Sequence, residues 1–379
     1  AVASTVTVAG VNDEPTLSAT ASNPTFTEGG GAASVFSGAS ASTVEAGQTI
    51  GSLVLTVTNI NDGSNEILNV DGTSVALTHL NSGTSATNSL SYSVSVAATT
   101  ATVSLTGGTL SAAATQTLVN ALSYQNDSND PNTSNRVVTL TSITDSGGGD
   151  DVAALVVAST VTVASVNSVP TDIALSATSI NQASTSSGAD IGTLSSTDVE
   201  GGGFSYSLVA NGASDSGSCG AGNDADNATF QTNGVTLETA GTTVAGSYKA
   251  CIQTDDGSDS YQETFTITVT DNVGPTITAA TILNADYKVG DTVTATITVA
   301  SDADDYTTGS GAITGTINGY ALASLSRNSA TEYEATFIIT DGGTDVAAGS
   351  NVAVSFTLSD SAGNTSGAFT TAINQASDT

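Results

Sequence analysis

A fifteen-residue segment occurs twice in the chain, and both copies contain a proline near their end. Residues 2–16 read VASTVTVAGVNDEPT and residues 157–171 read VASTVTVASVNSVPT, so 12 of 15 positions match at an offset of 155. A looser copy, TFTITVTDNVGPT, covers residues 264–276. In each copy β-branched residues alternate with others as in a half-buried strand, and proline then stops the ladder of backbone hydrogen bonds. The repeat predicts tandem β-modules, each closed by its last strand.

The prolines divide the chain into one incomplete segment and three modules. We expect residues 1–14 to be the last strand of a preceding repeat with its linker, followed by modules at 15–165, 166–272 and 273–379. The strand at residues 1–9 either belongs to that preceding repeat or fills a groove in a neighbouring subunit by strand addition. No leader sequence begins the chain, so we expect a mature product or part of a longer protein.

Short apolar runs separated by Gly, Asn, Asp and Ser predict an all-β fold of sandwiches. Residues 110–122 depart from this pattern, because they are rich in alanine and begin near Ser111, a residue type that caps helices. Their apolar side chains stand at helical spacing: Ala114, Leu118, Val119 and Leu122. We therefore predict one short helix, which covers the end of the first sandwich.

Acidic side chains dominate the charge of the chain. There are 36 Asp and Glu against 4 Lys and Arg, which gives a formal net charge of −32. Such a chain cannot neutralise phosphate, and an anionic membrane surface would repel it, so we expect no nucleic-acid partner and no membrane insertion. The basic residues are Arg136, Lys249, Lys288 and Arg327.

Two cysteines, Cys219 and Cys251, lie in the middle module. A disulfide is favoured over two free thiols, and it would indicate an oxidising compartment outside the cell. A catalytic role for the chain is not expected. Its single histidine, His79, has no Ser or Cys partner in a motif. The chain also contains no Trp, and it therefore lacks the aromatic side chains on which sugar-cleaving sites usually stack the sugar.

The middle module resembles a bacterial cadherin-like domain. The resemblance rests on residues 170–176, 191–201 and 204–209 and on the closing strand at 264–271. Residues 118–138 of the first module are similar to another repeat of giant bacterial adhesins of the RTX type, and the third module resembles a bacterial Ig-like domain. These resemblances imply cadherin-like sandwiches in the first two modules, an Ig-like sandwich in the third, and a role in adhesion.

Many carboxylates fall in loops that an alternating strand order would place at one end of each module. We expect the strand that begins at Ile50 to be the second of its module, so that its exit loop lies beside the linker and beside the loop after the sixth strand. Carboxylate oxygens suit Ca²⁺, which takes six to eight of them. By resemblance, Asp198, Glu200 and Asp255 sit where cadherin-like domains keep calcium ligands. The predicted metal ligands are Asp13, Asp62, Asp145, Asp198, Glu200, Asp255, Asp256, Asp271, Asp302, Asp304 and Asp360.

The alternative is that these acids only keep the chain soluble. With calcium bound, the chain would be a stiff stalk or filament of a bacterial surface, whose partners are neighbouring copies or repeats of the same protein and cell-surface or glycan targets. A second interpretation is a set of glycan-binding modules in a secreted or surface protein. That function would require a cleft with exposed aromatic side chains.

Overall fold

The computed structural model describes residues 4–6, 10–212, 214–300, 306–347 and 349–374. Its regular structure is all-β apart from one α-helix and three short 3-10 turns, which confirms the predicted all-β class and the predicted single helix. That helix has nine residues, and no helix in the described ranges has the length and apolar character needed to cross a membrane. The chain divides into two compact units, Ala1–Ser168 and Val169–Thr379.

The first unit alternates short strands with tight turns. Its elements are β1 (Thr16–Ala21), β2 (Thr25–Thr27), β3 (Ala33–Ser34), β4 (Phe36–Ser42), β5 (Ile50–Thr58), β6 (Glu66–Val70), β7 (Thr73–Ala76), β8 (Ser82–Thr84), β9 (Ser91–Ala97), β10 (Thr100–Thr106), α1 (Ala112–Asn120), β11 (Ser123–Asn126), β12 (Arg136–Asp145) and β13 (Val152–Ala164), with a 3-10 turn at Gly63–Asn65.

These strands form three sheets around one hydrophobic core. The largest sheet has the order β2-β13-β12-β5-β10-β9-β8, a second has the order β3-β11-β6-β7, and β1 pairs with β4. Because side chains alternate across a strand, every second residue of β5, β10 and β12 points into the core. Leu55, Val103 and Leu140 are completely buried there. Phe26 and Tyr124 meet edge to face with ring centroids 5.8 Å apart.

The helix α1 begins where the sequence predicts. Ser111 is its N-cap, and the hydroxyl oxygen accepts a hydrogen bond from the backbone N–H of Ala114 at 3.1 Å. This bond satisfies one of the amide groups that the first turn of a helix leaves without a partner. Leu118 and Val119 are buried, and the helix packs beside β4.

The described part of the second unit contains four sheets and two separate hydrophobic cores. Its strands are β14 (Asp172–Leu175), β15 (Ser179–Asn181), β16 (Ala189–Thr197), β17 (Ser205–Leu208), β18 (Ser216–Gly217), β19 (Phe230–Asn233), β20 (Thr236–Thr239), β21 (Gly246–Asp255), β22 (Ser260–Thr270), β23 (Ile277–Ile282), β24 (Thr292–Val299), β25 (Gly309–Ser310), β26 (Ile313–Ile317), β27 (Tyr320–Ala321), β28 (Ser324–Arg327), β29 (Glu332–Ile338) and β30 (Val354–Leu358), with 3-10 turns at Gln182–Ser184 and Asn227–Thr229.

The four sheets belong to the two cores in pairs. The sheets β14-β16-β20-β19 and β15-β22-β21-β17 contribute the core that contains Leu237 and Ile267, with β18 beside β22. The sheets β23-β24-β29-β28-β25 and β27-β26-β30 contribute the core that contains Tyr333 and Phe356. The linker between them passes Gly274, where an added Cβ would lie 2.4 Å from the carbonyl oxygen of Thr365. Only glycine fits this close approach of two backbone segments.

The predicted division at 165 and 272 stays a prediction. The predicted terminal strand at residues 1–9 falls largely on residues 1–3 and 7–9, which lie outside the described residues.

Candidate functional site

Two of the predicted ligands in the first unit lie at opposite ends of the main sheet. Strands β5 and β12 are antiparallel, with Asp145 opposite Ile50 at the start of β5 and Val137 opposite Thr58 at its end. Asp62 follows the end of β5, so nine strand residues, about 30 Å, separate its position from that of Asp145. The prediction that Asp62 and Asp145 share one end with the linker is therefore wrong.

The error comes from a strand that the sequence pattern did not reveal. Strand β4 pairs antiparallel with β1, with Leu17 opposite Ala41, and it precedes β5. Its sequence, FSGASAS, contains small residues of low β preference, including Gly38 in the left-handed region at φ 58°. An additional strand before β5 reverses the direction of β5, so the loop after β5, which holds Asp62, emerges at the end opposite the linker.

The end of the first unit at which β5 begins, called here the leading end, gathers polar side chains around the incoming chain. Asn12 donates its amide N–H to the carbonyl oxygen of Asp150 at 2.6 Å and accepts the amide N–H of Gln48 at 2.5 Å. The backbone N–H of Asp13 donates to Glu45 Oε1 at 3.2 Å. The loop between β4 and β5 thus holds the segment that precedes β1.

Asp145 belongs to the same group through its turn. Its Oδ1 accepts the backbone N–H of Gly147 at 2.9 Å, and Gly147 lies directly against the side chain of Asn12. The next residue, Ser146, and Thr49 exchange two hydrogen bonds of 2.8 and 3.1 Å. The leading end therefore joins the segment before β1, the loop before β5 and the turn after β12.

Three oxygens at the leading end are buried without a hydrogen-bond partner among the described residues: Glu45 Oε2, Gln48 Oε1 and Asp145 Oδ2. A buried carboxylate or amide oxygen without a donor costs about 1–3 kcal/mol, and a charged one costs more. Unpartnered buried oxygens therefore indicate that an additional cation, proton or water satisfies them.

The chemistry of these donors fits a hard divalent cation such as Ca²⁺, which accepts carboxylate and amide oxygens alike. The geometry is incomplete. In the ranges that the structure covers, no three His, Cys, Asp or Glu side chains already surround a common point as a bound metal would require. Glu45, Gln48 and Asp145 would be the candidate protein donors to an ion here, and the predicted ligand Asp13 is exposed.

At the opposite end of the first unit, called the trailing end, the positive charge comes from the protein itself. Arg136 is completely buried, and its Nη2 donates to Glu66 Oε1 and to Asp62 Oδ2, both at 2.8 Å. Its Nε donates to Glu66 Oε2 at 3.1 Å, so Glu66 is held by two bonds from one guanidinium. The hydroxyl of Tyr124 donates to Glu66 Oε2 at 2.8 Å, and the amide of Asn126 donates to Asp62 Oδ2 at 2.6 Å.

Backbone groups complete this ion pair. The N–H groups of Asn61 and Asp62 donate to Glu66 Oε1 at 2.7 and 3.1 Å, and Arg136 also donates to the carbonyl oxygens of Asn132 and Ser134. Burial lowers the pKa of Arg136, but the hydrogen bond to Glu66 and the surrounding negative charge outweigh this effect and raise it. Burial, together with the Glu66 charge, raises the pKa of Tyr124. Arg136 therefore stays charged and Tyr124 stays neutral at neutral pH.

Asp62 was predicted to bind a metal, and the structure gives its carboxylate other partners. Besides Arg136 and Asn126, the backbone N–H of Asn132 donates to both of its oxygens at 3.0 and 3.2 Å. With a guanidinium already paired to it, this carboxylate has little remaining capacity for a second cation.

In the second unit, two acidic loops do meet at one end of the sheets that carry Leu237 and Ile267. Asp172, which begins β14, stands opposite Thr197 at the end of β16. Ser205, which begins β17, stands opposite Asp255 at the end of β21. The loop after β16, which holds Asp198 and Glu200, therefore emerges beside the loop after β21, which holds Asp255 and Asp256.

Asp198 is the member of this group whose charged form is disfavoured by its surroundings. Its Oδ1 accepts the backbone N–H of Glu200 at 3.0 Å, while its Oδ2 is buried without a hydrogen-bond partner among the described residues. Burial raises the pKa of Asp198, and the nearby carboxylates of Glu200 and Asp256 raise it further. Asp255 and Asp256 each accept a hydrogen bond from a backbone N–H of their own turn. Asp255 Oδ1 accepts the N–H of Gly257 at 2.8 Å.

The remaining predicted ligands lie near the second linker or outside the described residues. Asp271 follows β22 and accepts the N–H of Val273 at 3.1 Å. Asp360 is buried, and both of its oxygens accept hydrogen bonds from Asn364, at 2.8 and 3.0 Å. Asp302 and Asp304 lie outside the described residues.

Cys219 and Cys251 form a disulfide, with their Cα atoms 5.6 Å apart. The bond ties the loop before β19 to the buried strand β21. In that loop, the amide of Asn227 donates to the carbonyl oxygen of Val209 at 2.7 Å and its Oδ1 accepts the N–H of Cys251 at 2.9 Å. The disulfide thus fixes a long loop that has little regular structure of its own.

Three residues at these sites are not among those predicted from the sequence: Glu45, Gln48 and Glu66. Glu45 and Gln48 stand in the loop after the unrecognised strand β4, and nothing in the sequence separates them from solvated loop residues. For Glu66 a signal existed in its partner. Arg136 begins the run RVVTLTSIT, where Arg136, Val138 and Leu140 share one face, so alternation places a charged side chain in the core and demands an acidic partner.

The sequence matches no known protein family and no curated protein. Several solved structures of cadherin repeats align with nearly the whole chain. PcdhgB3 EC1-4 aligns at 13% identity and a TM-score of 0.40, covering 96% of this chain and 76% of that one. Drosophila N-cadherin EC1-4 gives 14% identity, a TM-score of 0.33 and coverages of 97% and 76%. Human CDH23 EC21-23 gives 12% identity, a TM-score of 0.46 and coverages of 93% and 97%. All three TM-scores lie below 0.5, so the likeness is loose.

Proposed function

We propose that this chain is an extracellular structural or adhesive repeat protein of a bacterial surface, without catalytic activity, built from three sandwich modules and stiffened by Ca²⁺ at module ends. One observation carries the cation part of the proposal. At the leading end, Glu45 Oε2, Gln48 Oε1 and Asp145 Oδ2 are buried and unpartnered within the described chain. They are oxygens of the kind that calcium prefers.

The charge balance supports the same conclusion. The formal net charge is −32, and only four cationic side chains exist to offset 36 acids. One of the four, Arg136, is enclosed in the first unit and pairs only locally. Carboxylates that converge, as Asp198, Glu200 and Asp256 do, repel one another until a counter-ion arrives. A hard divalent cation that accepts carboxylate oxygens, such as Ca²⁺, would be such a counter-ion.

A bound ion would stiffen the chain at a defined place. The leading end joins the segment before β1 to two loops of the sandwich, so an ion there would connect the incoming chain to the body of the module. We propose the acidic loops after β16 and β21 as a second site of the same kind. The disulfide between Cys219 and Cys251 supports an oxidising location.

Calcium titration of the thermal melt tests the proposal. For an ion held with a dissociation constant near 10⁻⁴ M, saturation at a hundredfold excess should add about 2.7 kcal/mol to the free energy of unfolding. In Asp145→Asn this gain should fall to less than half. Asp130→Asn makes the same charge change at an exposed loop position and should keep the full gain. If calcium adds equal stability to both variants, the leading end does not hold the ion.

Direct measurement separates binding from stability. Isothermal titration of the wild-type chain with Ca²⁺ should show saturable binding that Glu45→Gln weakens, while Mg²⁺ binds less well because it demands stricter octahedral geometry. A chain that shows no heat of binding and no change of melting temperature with calcium would reduce the acids to a solubilising role. The structural proposal would then remain without its cation.

The strand at residues 1–9 stays a prediction within this proposal. If it completes a neighbouring subunit, a chain that lacks residues 1–9 should no longer assemble into filaments, whereas its thermal melt should not change. Normal filaments from the shortened chain would show that the strand serves only its own repeat.

One cleft favours a second candidate function, glycan binding. It has a volume of 320 Å³ and is lined in part by Tyr287, Tyr320, Phe337 and Asp345. The rings of Tyr320 and Phe337 are stacked with centroids 5.9 Å apart; Tyr320 is half-buried and Phe337 is buried. Ligand pockets are typically lined by such aromatic and apolar side chains together with a few polar groups. Binding of the intact chain to a polysaccharide panel, abolished by Tyr320→Ala, would support this function.

A further inference from the structure

The outward face of the main sheet of the first unit carries no charge. Adjacent strands place their outward residues side by side, and the central row crosses β9, β10, β5, β12 and β13 in register. That row consists of Ser95, Thr102, Thr56, Thr139 and Ala158. A second row, on the other side of a bulge in β12, consists of Ser93, Ser104, Val54, Ser142 and Ala154. We call these ten residues the uncharged face.

The uncharged face is accessible and partly apolar. All of its members are half-buried or exposed, whereas the alternate residues of the same strands are core residues. The strand β13 adds apolar surface beside it, because Val156, in the bulge between the two rows, is 91% exposed and Val152 is 50% exposed. Covering this face costs far less than covering carboxylates would, provided that its hydroxyl groups find hydrogen-bond partners in the contact.

This lack of charge is notable in a chain with 36 acidic residues. The second unit offers a comparison. On the strand pair β24 and β29, Glu334 stands opposite Thr296 and Glu332 stands opposite Thr298. Carboxylates on an outward sheet face oppose its burial against another sheet, because burying an unpaired charge is costly. The first unit has no such residue among the ten positions of its uncharged face.

We propose that the uncharged face is a lateral self-association surface, which packs against the same face of a second copy of this chain. The argument for a second copy rests on charge. Two chains of net charge −32 repel over most of their surfaces, and they can approach closely only where neither presents a carboxylate. A basic partner would instead select the acidic loops. The same patch on both copies gives a symmetric pair.

The available area suits a weak pair. Five strands at a spacing of about 4.8 Å, over about seven residues each, present about 550 Å² per copy. Two copies would bury about 1,100 Å², which just exceeds the roughly 1,000 Å² that a specific contact needs. The inference concerns a different surface from the calcium sites, and it does not depend on them.

Sedimentation velocity of the intact chain at rising concentration tests this proposal, with parallel runs in calcium and in chelator. The wild-type chain should form dimers in both media, and added salt should strengthen them because it screens the net negative charge. Ala158→Glu places a carboxylate on the exposed part of the uncharged face and should weaken dimerisation at least ~100-fold, since like charges across an interface cost several kcal/mol. Thr294→Glu, on the exposed face of β24 in the second unit, is the matched control and should leave dimerisation unchanged.

A second pair of variants distinguishes a lost contact between copies from a misfolded chain. Ala158→Lys should also reduce self-association, and a mixture of Ala158→Glu and Ala158→Lys chains should associate better than either alone. A wild-type chain that stays monomeric at high salt, or dimers that Ala158→Glu leaves intact, would overturn the proposal. So would a monomeric chain whose uncharged face binds a polysaccharide. Dimers in chelator without any calcium binding would instead refute only the cation proposal.

Discussion

Replacing Arg136 by methionine should destabilise the first unit strongly, because it removes the only positive charge from a buried acidic cluster. Met keeps the apolar stem of the side chain, so the loss of packing is small. Glu66, which is completely buried, would retain the Tyr124 hydroxyl and two backbone N–H groups but no cation. Its remaining neighbour Asp62 would then add repulsion where Arg136 now adds attraction.

The size of this effect follows from burial. Breaking a buried ion pair by removing one partner costs about 3–5 kcal/mol, whereas an exposed pair is worth at most about 1 kcal/mol. Both Arg136 and Glu66 have side chains with 0% exposure, so the larger figure applies. For a unit of this size, we expect the melting temperature to fall by about 10 °C. The carbonyl oxygens of Asn132 and Ser134, which also accept from Arg136, lose their donors and add to the cost.

Hydrogen exchange of the intact chain measures this loss where it occurs. Peptides that cover β12 report the free energy of opening of the first unit, and peptides from β21 serve as an internal reference. The matched control is Arg327→Met, the same substitution at an exposed position, which should change stability by less than about 0.5 kcal/mol.

A double variant tests the reason for the loss. In Arg136→Met with Glu66→Gln, the buried charge is absent, and the remaining amide can still accept the backbone N–H groups. We expect the double variant to be more stable than Arg136→Met alone, with a coupling energy of about 1–3 kcal/mol. If Arg136→Met costs less than about 1 kcal/mol, or if removing Glu66 makes the chain still less stable, the ion pair does not hold the trailing end.

Three further outcomes are expected. Because burial raises the pKa of Asp198, the folded state binds its proton more tightly than the unfolded state does. The stability from this group is therefore complete at low pH and is lost as the pH rises through the raised pKa. In chelator at neutral pH, Asp198→Asn should melt at a higher temperature than the wild-type chain, and with calcium the wild-type chain should have the higher melting temperature. Reducing the Cys219–Cys251 disulfide, which closes a separation of 32 residues, should lower the free energy of unfolding by about 4 kcal/mol and speed proteolysis of the loop before β19. Gly274→Ala should cost about 1–3 kcal/mol in thermal melts because its Cβ meets a backbone carbonyl, while Gly241→Ala, in open space, should change little.

The fold could be predicted from the sequence where one local signal was enough. Alternating residues identified β5, β12 and β22, and the pattern that begins at Ser111 identified α1. Both signals come from one segment at a time, since alternation and capping depend on neighbours a few residues away. The all-β class follows from these elements without any knowledge of how they pair.

The candidate site could be predicted only in part, because its placement depends on the number of strands that precede it. Missing β4 put Asp62 beside Asp145, although the two lie at opposite ends of β5. In the second unit the strand order was as expected, and the loops of Asp198 and Asp255 do meet. The roles of Glu45 and Gln48 depend on tertiary burial, which no local pattern in their loop reveals.

The two ends of the first unit differ in where their positive charge originates. A guanidinium attached to the backbone at Arg136 cannot diffuse away, be diluted or be exchanged for a competing ion. Its pairing is fixed at translation and persists in any medium in which the chain stays folded. Among the described residues of the first unit, the end around Asp145 has no such basic partner. The ion that we propose for that end would come from solution, so we expect the stability of that end to vary with the calcium concentration and the Arg136 end not to respond.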